Sequence, residues 1–140
     1  LVRTFLNSKA DYLLFIDSDT VMQPNGLDLL LLDNKDMVSA AYPFLFKDGD
    51  KVSIVTCAFK NTEGEFFKPF TITPELVKVD SVGMGACLIK KDVFDKIDYP
   101  YFSGHVEDFY FCKKLRDTGV EIYLDGRVKA THYKELALNF

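Results

Sequence analysis

Two aspartates at the end of an apolar run have the types and spacing best suited to chemistry. Asp17 and Asp19 directly follow the segment Tyr12–Ile16. Ligands of open α/β sheets bind outside the carboxyl ends of the strands, and two carboxylates one residue apart can share a hard divalent cation. Such a cation would also grip a diphosphate. The alternative is that Asp19 caps the following turn and Asp17 is a solvated strand end.

A second acidic pair and a late histidine could complete a site of this kind. Glu107 and Asp108 open a predicted helix, where a carboxylate at the mouth of a pocket could act as a general base. The helix dipole also favours acidic residues there, so the pair could equally be a capping feature. His132 follows the last predicted strand and could bind a metal as a neutral imidazole, although a lone histidine is more often a surface or packing residue.

Backbone and aromatic groups supply the remaining candidates. Gly83, Met84 and Gly85 lie between two apolar segments and would let a ligand approach the backbone closely, or would form a bulge or tight turn. The sequence contains neither a phosphate-loop nor a dinucleotide-binding glycine pattern. The aromatic segment before the second acidic pair contains three rings that could stack on sugar faces: Tyr99, Tyr101 and Phe102. The same segment contains His105, which is expected at the surface or beside a substrate.

Alternating strand and helix patterns are predicted to position these residues. The run Tyr12–Ile16 is typical of a central strand covered on both faces, and Leu27–Leu32 predicts a short, mostly buried helix. Residues 107–118 predict an amphipathic helix that ends at Gly119. The other predicted elements are a helix tail in residues 1–9, a strand at 37–42 closed by Pro43, strands at 51–59 and 66–72 joined by a hairpin at 61–65, strands at 77–82 and 86–89, a helix at 91–97, and final strands at 120–124 and 127–131. This order predicts an α/β sandwich with a mixed sheet and a β-rich insert.

Length and composition restrict the classes of protein that the chain can represent. The 140 residues fit a single domain, residues 1–140, and the net charge of −4 lacks the basic surface of a general nucleic-acid binder. The apolar runs are too short to span a membrane. Three distant cysteines form no disulfide or zinc-ribbon pattern, which predicts buried thiols and a cytoplasmic protein: Cys57, Cys87 and Cys112.

Four segments in this order resemble the GT-A nucleotide-sugar glycosyltransferases, in particular the family 2-like group. They are Ala10–Asp19, Val82–Ile89, the pair Glu107-Asp108 with its helix, and His132. The resemblance spans nearly the whole chain and implies a GT-A-like (Rossmann-like) three-layer sandwich. It also implies a hexosyltransferase-type enzyme that moves a sugar from a nucleoside-diphosphate sugar, expected to be a UDP-sugar, to a hydroxyl of a carbohydrate or other acceptor.

The resemblance also implies a role for each matching position. Asp17 and Asp19 look like the family's D-x-D and would both bind Mn²⁺ or Mg²⁺ on the donor diphosphate, Asp19 more directly than Asp17. The backbone of residues 83–86 would line the donor and acceptor sugars. Asp108 would deprotonate the acceptor hydroxyl, which implies inversion, and Glu107 would bind the acceptor. His132 matches a third metal contact in some members, and an imidazole there would favour Mn²⁺ over Mg²⁺.

One departure from the family concerns its first half. Members normally carry their nucleotide-base contacts in a βαβ unit before the D-x-D, whereas only residues 1–11 precede the apolar strand here. We therefore expect either a fragment or a short enzyme that completes its base pocket as a homo-oligomer. In both cases the chain alone should bind nucleotide weakly.

Two other functions fit part of the pattern. Phe15–Val21 also matches the D-x-D-x-[TV] pattern of haloacid-dehalogenase-like phosphohydrolases, in which Asp17 would be the nucleophile. The downstream lysine and strand-end acidic pair of those enzymes have no convincing counterpart. The chain could instead be a sugar- or nucleotide-binding remnant without turnover.

Overall fold

A mixed sheet of six strands positions the candidate residues. The structure, a computed structural model, describes residues 1–49, 51–62 and 66–133. Its helices are α1 (Val2–Leu6), α2 (Gly26–Leu32) and α3 (Glu107–Asp117), with a 3-10 helix at Lys91–Lys96. Its strands are β1 (Tyr12–Ile16), β2 (Thr20–Met22), β3 (Met37–Ala41), β4 (Pro43–Asp48), β5 (Lys51–Thr56), β6 (Ala58–Thr62), β7 (Phe66–Pro69), β8 (Leu76–Val79), β9 (Ser81–Val82), β10 (Ala86–Lys90) and β11 (Ile122–His132).

The main sheet has the strand order β1-β10-β3-β11-β2, and β8 pairs with β11. β3 and β11 are parallel, whereas the other pairs in this sheet are antiparallel. One cluster of buried apolar side chains extends from Phe5 to Ala130 and packs on this sheet. The predicted α/β fold with a mixed central sheet is therefore confirmed.

Strand β1 lies at the edge of the main sheet, so the prediction that it is central is wrong. Within the described residues only β10 pairs with it. Tyr12 to Phe15 are half-buried and Ile16 is exposed. The apolar run reflects packing against the core, for example the edge-on contact between Phe15 and Phe102. An apolar pattern records which side chains are covered, but it does not record how many strands pair with the backbone.

Strand β11 is continuous where two strands were predicted. Its pairing with β3 changes register between Asp125 and Lys129, as at a β-bulge. At this irregularity Gly126 donates its N–H to the carbonyl of Glu75, and a Cβ on Gly126 would lie 1.7 Å from the Thr73 carbonyl oxygen. The glycine therefore allows a close backbone approach within one strand. It does not end the strand.

The β-rich insert consists of two small sheets. β4 and β5 form a hairpin, and β7, β6 and β9 form a three-stranded sheet. The predicted strand at 51–59 is thus two strands separated at Cys57, the strand predicted at 77–82 is β8 and β9, and Pro43 begins β4. The predicted hairpin is confirmed by the antiparallel pairing of β6 with β7, although residues 63–65 of its connection lie outside the described residues.

The helices agree with prediction in place but not always in burial. Helix α2 buries Leu30 fully, whereas Leu32 is 79% exposed and Leu27 and Leu31 are also exposed, so the prediction of a mostly buried helix is wrong. A helix this short contacts the sheet, on β3 and β11, with one face only. Helix α3 buries Phe111, Cys112 and Leu115, and Gly119 follows it with a φ of +81°.

The three cysteines are free and buried, as predicted. Among the described residues no helix is both long enough and apolar enough to cross a membrane.

Candidate active site

The D-x-D segment forms a tight connection between β1 and β2 that is held at both ends. The N–H of Asp17 donates to the Gly85 carbonyl at 3.1 Å, and the N–H of Thr20 donates to the Asp17 carbonyl at 3.0 Å. At the other end the N–H of Tyr133 donates to the Asp19 carbonyl at 2.8 Å. These bonds fix the backbone of both aspartates, and β11 brings His132 opposite Thr20.

His132 faces Asp19 in an arrangement that suits a metal ion. Its Nδ1 lies 3.0 Å from the Pro43 carbonyl oxygen, and its Nε2 lies 3.3 Å from Oδ2 of Asp19. Because a carbonyl can only accept, Nδ1 must carry hydrogen, and Nε2 of the neutral ring then directs a lone pair at a carboxylate oxygen. Two such atoms suit each other only with a proton or a cation between them. A backbone carbonyl that fixes the imidazole tautomer is the usual support of a histidine metal ligand.

Asp17 lies outside this pair. Its Oδ2 is 3.1 Å from the position that a Cβ of Gly85 would occupy, and its side chain lines a cavity beside the Gly83–Gly85 turn. Among the described residues no group of three histidine, cysteine or acidic side chains lies close enough to hold a metal ion. The structure thus brings Asp19 and His132 together, with Asp17 on the neighbouring wall.

The second acidic pair reaches the same cavity from the start of α3. Asp108 is half-buried, and its Oδ2 accepts the Met84 N–H at 3.2 Å, whereas Glu107 is exposed. Burial raises the pKa of Asp108; the bond from Met84 lowers it, and the nearby charges of Glu107 and Asp17 raise it further. A carboxylate with a raised pKa at a cavity wall is suited to accept a proton.

The cavity shared by these groups has a volume of about 340 Å³. Its wall contains Asp17, Glu107, Asp108 and His132, and aromatic rings cover much of the rest: Tyr42, Phe44, Phe59 and Phe109. His105, expected at the surface or beside a substrate, is exposed and also lines this cavity. A larger cavity of about 500 Å³ is also lined by Tyr42, but no carboxylate of the described part of the chain lines it. The smaller cavity is therefore the candidate site.

The three aromatics that could have stacked on sugar faces lie elsewhere. Phe102 stacks on Phe111 at 4.5 Å and Tyr101 packs edge-on against Phe94 at 5.3 Å, while Tyr99 is 79% exposed. None of the three lines the cavity that holds the carboxylates.

Sequence reasoning missed the aromatic rings that do line the cavity. Tyr42 is one of them; it contacts both Gly85 and His132. It follows β3 and precedes a proline, a position that indicates only the end of a strand. Nothing in the local sequence distinguishes it from an ordinary core aromatic. Its role depends on contacts with residues more than forty positions away.

Comparison with solved structures shows the fold alone. The chain resembles the crystal structure of A197 from STIV with a TM-score of 0.69 and 22% sequence identity. The match covers 96% of this chain and 64% of A197, so the chain spans less than two thirds of that protein. No protein-family model matches the sequence, and no curated protein matches it significantly.

Proposed function

We propose that the chain forms the catalytic site of a metal-dependent glycosyltransferase of GT-A-like, three-layer architecture. It would move a sugar from a nucleoside-diphosphate sugar, with UDP the expected nucleotide, to an acceptor hydroxyl with inversion. The single observation that carries the proposal is that Asp17, Asp108 and His132 line one cavity, with Asp19 in contact with His132.

The proposed donor side is the pair of Asp19 and His132. When bound there, Mn²⁺ or Mg²⁺ would neutralise the charge that develops on the leaving nucleoside diphosphate. Asp19 offers a carboxylate oxygen and His132 a neutral nitrogen, a mixed set that suits Mn²⁺ better than Mg²⁺. Asp17 would orient the donor from the adjacent wall.

The proposed acceptor side is the start of α3. Asp108 would accept the proton of the acceptor hydroxyl as that oxygen attacks the anomeric carbon. Its carboxylate is held by the Met84 N–H through Oδ2, which leaves Oδ1 for the acceptor. Glu107, exposed at the rim, would bind the acceptor's hydroxyl groups.

A sugar-transfer assay with Asp108→Asn tests this proposal. The asparagine keeps an oxygen that can accept from Met84, so the variant removes the base while keeping the contact. Loss of a general base should lower kcat by about a hundredfold to ten-thousandfold. Asp117→Asn is the matched control, because this exposed carboxylate lies at the far end of the same helix.

The product and the metal dependence separate the alternatives. The proposal expects an inverted anomer by NMR, and a retained anomer would contradict the role of Asp108. Metal-dependent ligand binding without transfer or hydrolysis would indicate a binding remnant. Phosphate release from phosphomonoesters with Mg²⁺, without sugar transfer, would indicate a phosphohydrolase.

A further inference from the structure

The Gly83–Gly85 turn connects the two acidic motifs of the site. The carbonyl of Gly85 accepts the N–H of Asp17, and the N–H of Met84 donates to Oδ2 of Asp108 at 3.2 Å. One three-residue turn therefore contacts the D-x-D segment on one side and the proposed base on the other. A shift of this turn would move both acidic motifs at once.

Tyr42 holds this turn through its hydroxyl group. The hydroxyl oxygen accepts the N–H of Gly85 at 2.9 Å, and the side chain is 4% exposed. A Cβ on Gly83 would lie 2.4 Å from that oxygen, and a Cβ on Gly85 would lie 2.9 Å from it. The hydroxyl therefore occupies the space that any side chain at either glycine would need.

The ring of Tyr42 reaches the third element of the site. It packs edge-on against His132, with the ring centres 5.5 Å apart. The same residue thus touches the turn with its hydroxyl and the imidazole with its ring. Burial raises the pKa of Tyr42, so the phenol stays protonated at neutral pH.

We propose that Tyr42 is a positioning residue: through the Gly83–Gly85 turn it fixes the Asp17 backbone and the Asp108 carboxylate relative to each other. The inference rests on the proposed function of those two acidic motifs. Removal of the hydroxyl leaves the N–H of Gly85 without its partner and frees the turn. The ring contact with His132 remains in phenylalanine, so Tyr42→Phe separates the two contacts.

The test compares Tyr42→Phe with Tyr123→Phe. Tyr123 is the matched control because its hydroxyl also makes a side-chain hydrogen bond, to Glu121 at 2.7 Å, but on an exposed part of the surface. In Tyr42→Phe kcat should fall about tenfold to a hundredfold, because small displacements of reacting groups have effects of this size. The KM for the nucleotide-sugar donor should change by less than about twofold, because the donor would be bound through Asp19 and His132, whose contacts do not involve the Tyr42 hydroxyl. The control should match the wild type.

Amide exchange provides a readout that does not depend on transferase activity. In Tyr42→Phe the amides of Asp17, Met84 and Gly85 should exchange with solvent at least about tenfold faster than in the wild type, since their local opening becomes easier. Far-UV circular dichroism should show the variant folded. Unchanged exchange at these three amides would overturn the inference, as would a wild-type kcat in Tyr42→Phe.

The two readouts also separate this inference from the proposed function. If the wild type transfers no sugar but the three amides respond, the proposed function fails and the positioning by Tyr42 is supported. If the wild type transfers sugar and Tyr42→Phe does so equally well, the proposed function stands and the inference fails.

Discussion

The fit between Tyr42 and Gly83 predicts a strong energetic coupling between the two positions. In Gly83→Ala the new methyl group would lie 2.4 Å from the Tyr42 hydroxyl oxygen, whereas the next atoms, Cζ of Tyr42 and Oδ2 of Asp108, lie at 3.5 and 3.7 Å. One atom therefore causes nearly all of the strain. Overpacking of this kind lowers the free energy of unfolding by about 1–3 kcal/mol.

Removal of that atom should make the same substitution harmless. In a Tyr42→Phe background the closest remaining contacts of the new methyl group are ordinary. Gly83 is not among the glycines with positive φ, so alanine fits its backbone and could add about 0.4–1 kcal/mol by restricting the unfolded chain. The coupling energy between the positions, the difference between these two effects, should therefore be about 1.4–4 kcal/mol.

Gly85→Ala provides the contrast. Its methyl group would lie 2.9 Å from Cζ of Tyr42 and 3.1 Å from Oδ2 of Asp17, and both atoms remain in Tyr42→Phe. This variant should be destabilised in both backgrounds. Urea unfolding of the four members of each double-mutant cycle measures the effect. Equal destabilisation by Gly83→Ala with and without the hydroxyl would show that the Tyr42 hydroxyl is not the source of the strain.

The remaining predictions concern two carboxyl groups. Because the pKa of Asp108 is raised, kcat/KM of the proposed transfer should rise with pH, and the midpoint of this rise should lie above the usual pKa range of aspartate. The rise should be absent in Asp108→Asn. A pH–rate profile measures both effects. Burial and the neighbouring Asp125 carboxylate raise the pKa of Asp33 against the opposing effect of Arg127, which pairs with Oδ1; the buried Oδ2 has no hydrogen-bond partner among the described residues. A raised folded-state pKa means that this group's contribution to stability is present at low pH and is lost as pH rises through that pKa. Asp33→Asn removes this loss, so from acidic to neutral pH its free energy of unfolding should change more favourably than that of the wild type. Urea unfolding at several pH values measures the difference, and a less favourable change in the variant would contradict this assignment.

The sequence predicted the acidic motifs better than their surroundings. Asp17 and Asp19 follow an apolar strand, and this local pattern placed them at the end of β1. The contact of Asp19 with His132 depends on the pairing of β11 with β2, over more than a hundred residues. It was suggested only by the place of His132 after the last predicted strand and by the resemblance. Local pattern therefore identified the charged groups, but the pairing of distant strands determined their partners.

Features that depend on long-range packing could not be predicted from the local sequence. Tyr42 carries no local signal, because its hydrogen bond to Gly85 forms only when β3 lies beside the turn before β10. The edge position of β1 was missed for a related reason, since hydrophobicity measures the burial of side chains and not the pairing of backbone groups. The bulge at Gly126 resembled a turn because glycine serves both.

Calorimetric titration of UDP into the protein, with and without Mn²⁺, tests the central claim most directly. The proposed function predicts binding that requires Mn²⁺ and is lost in Asp19→Ala, because that variant removes the carboxylate that faces His132. Asp95→Ala is the control, since this exposed carboxylate lies on the 3-10 helix and does not line the cavity. It should bind UDP as the wild type does. UDP binding that is independent of Mn²⁺, or that persists unchanged in Asp19→Ala, would contradict the proposed metal-dependent nucleotide-sugar site.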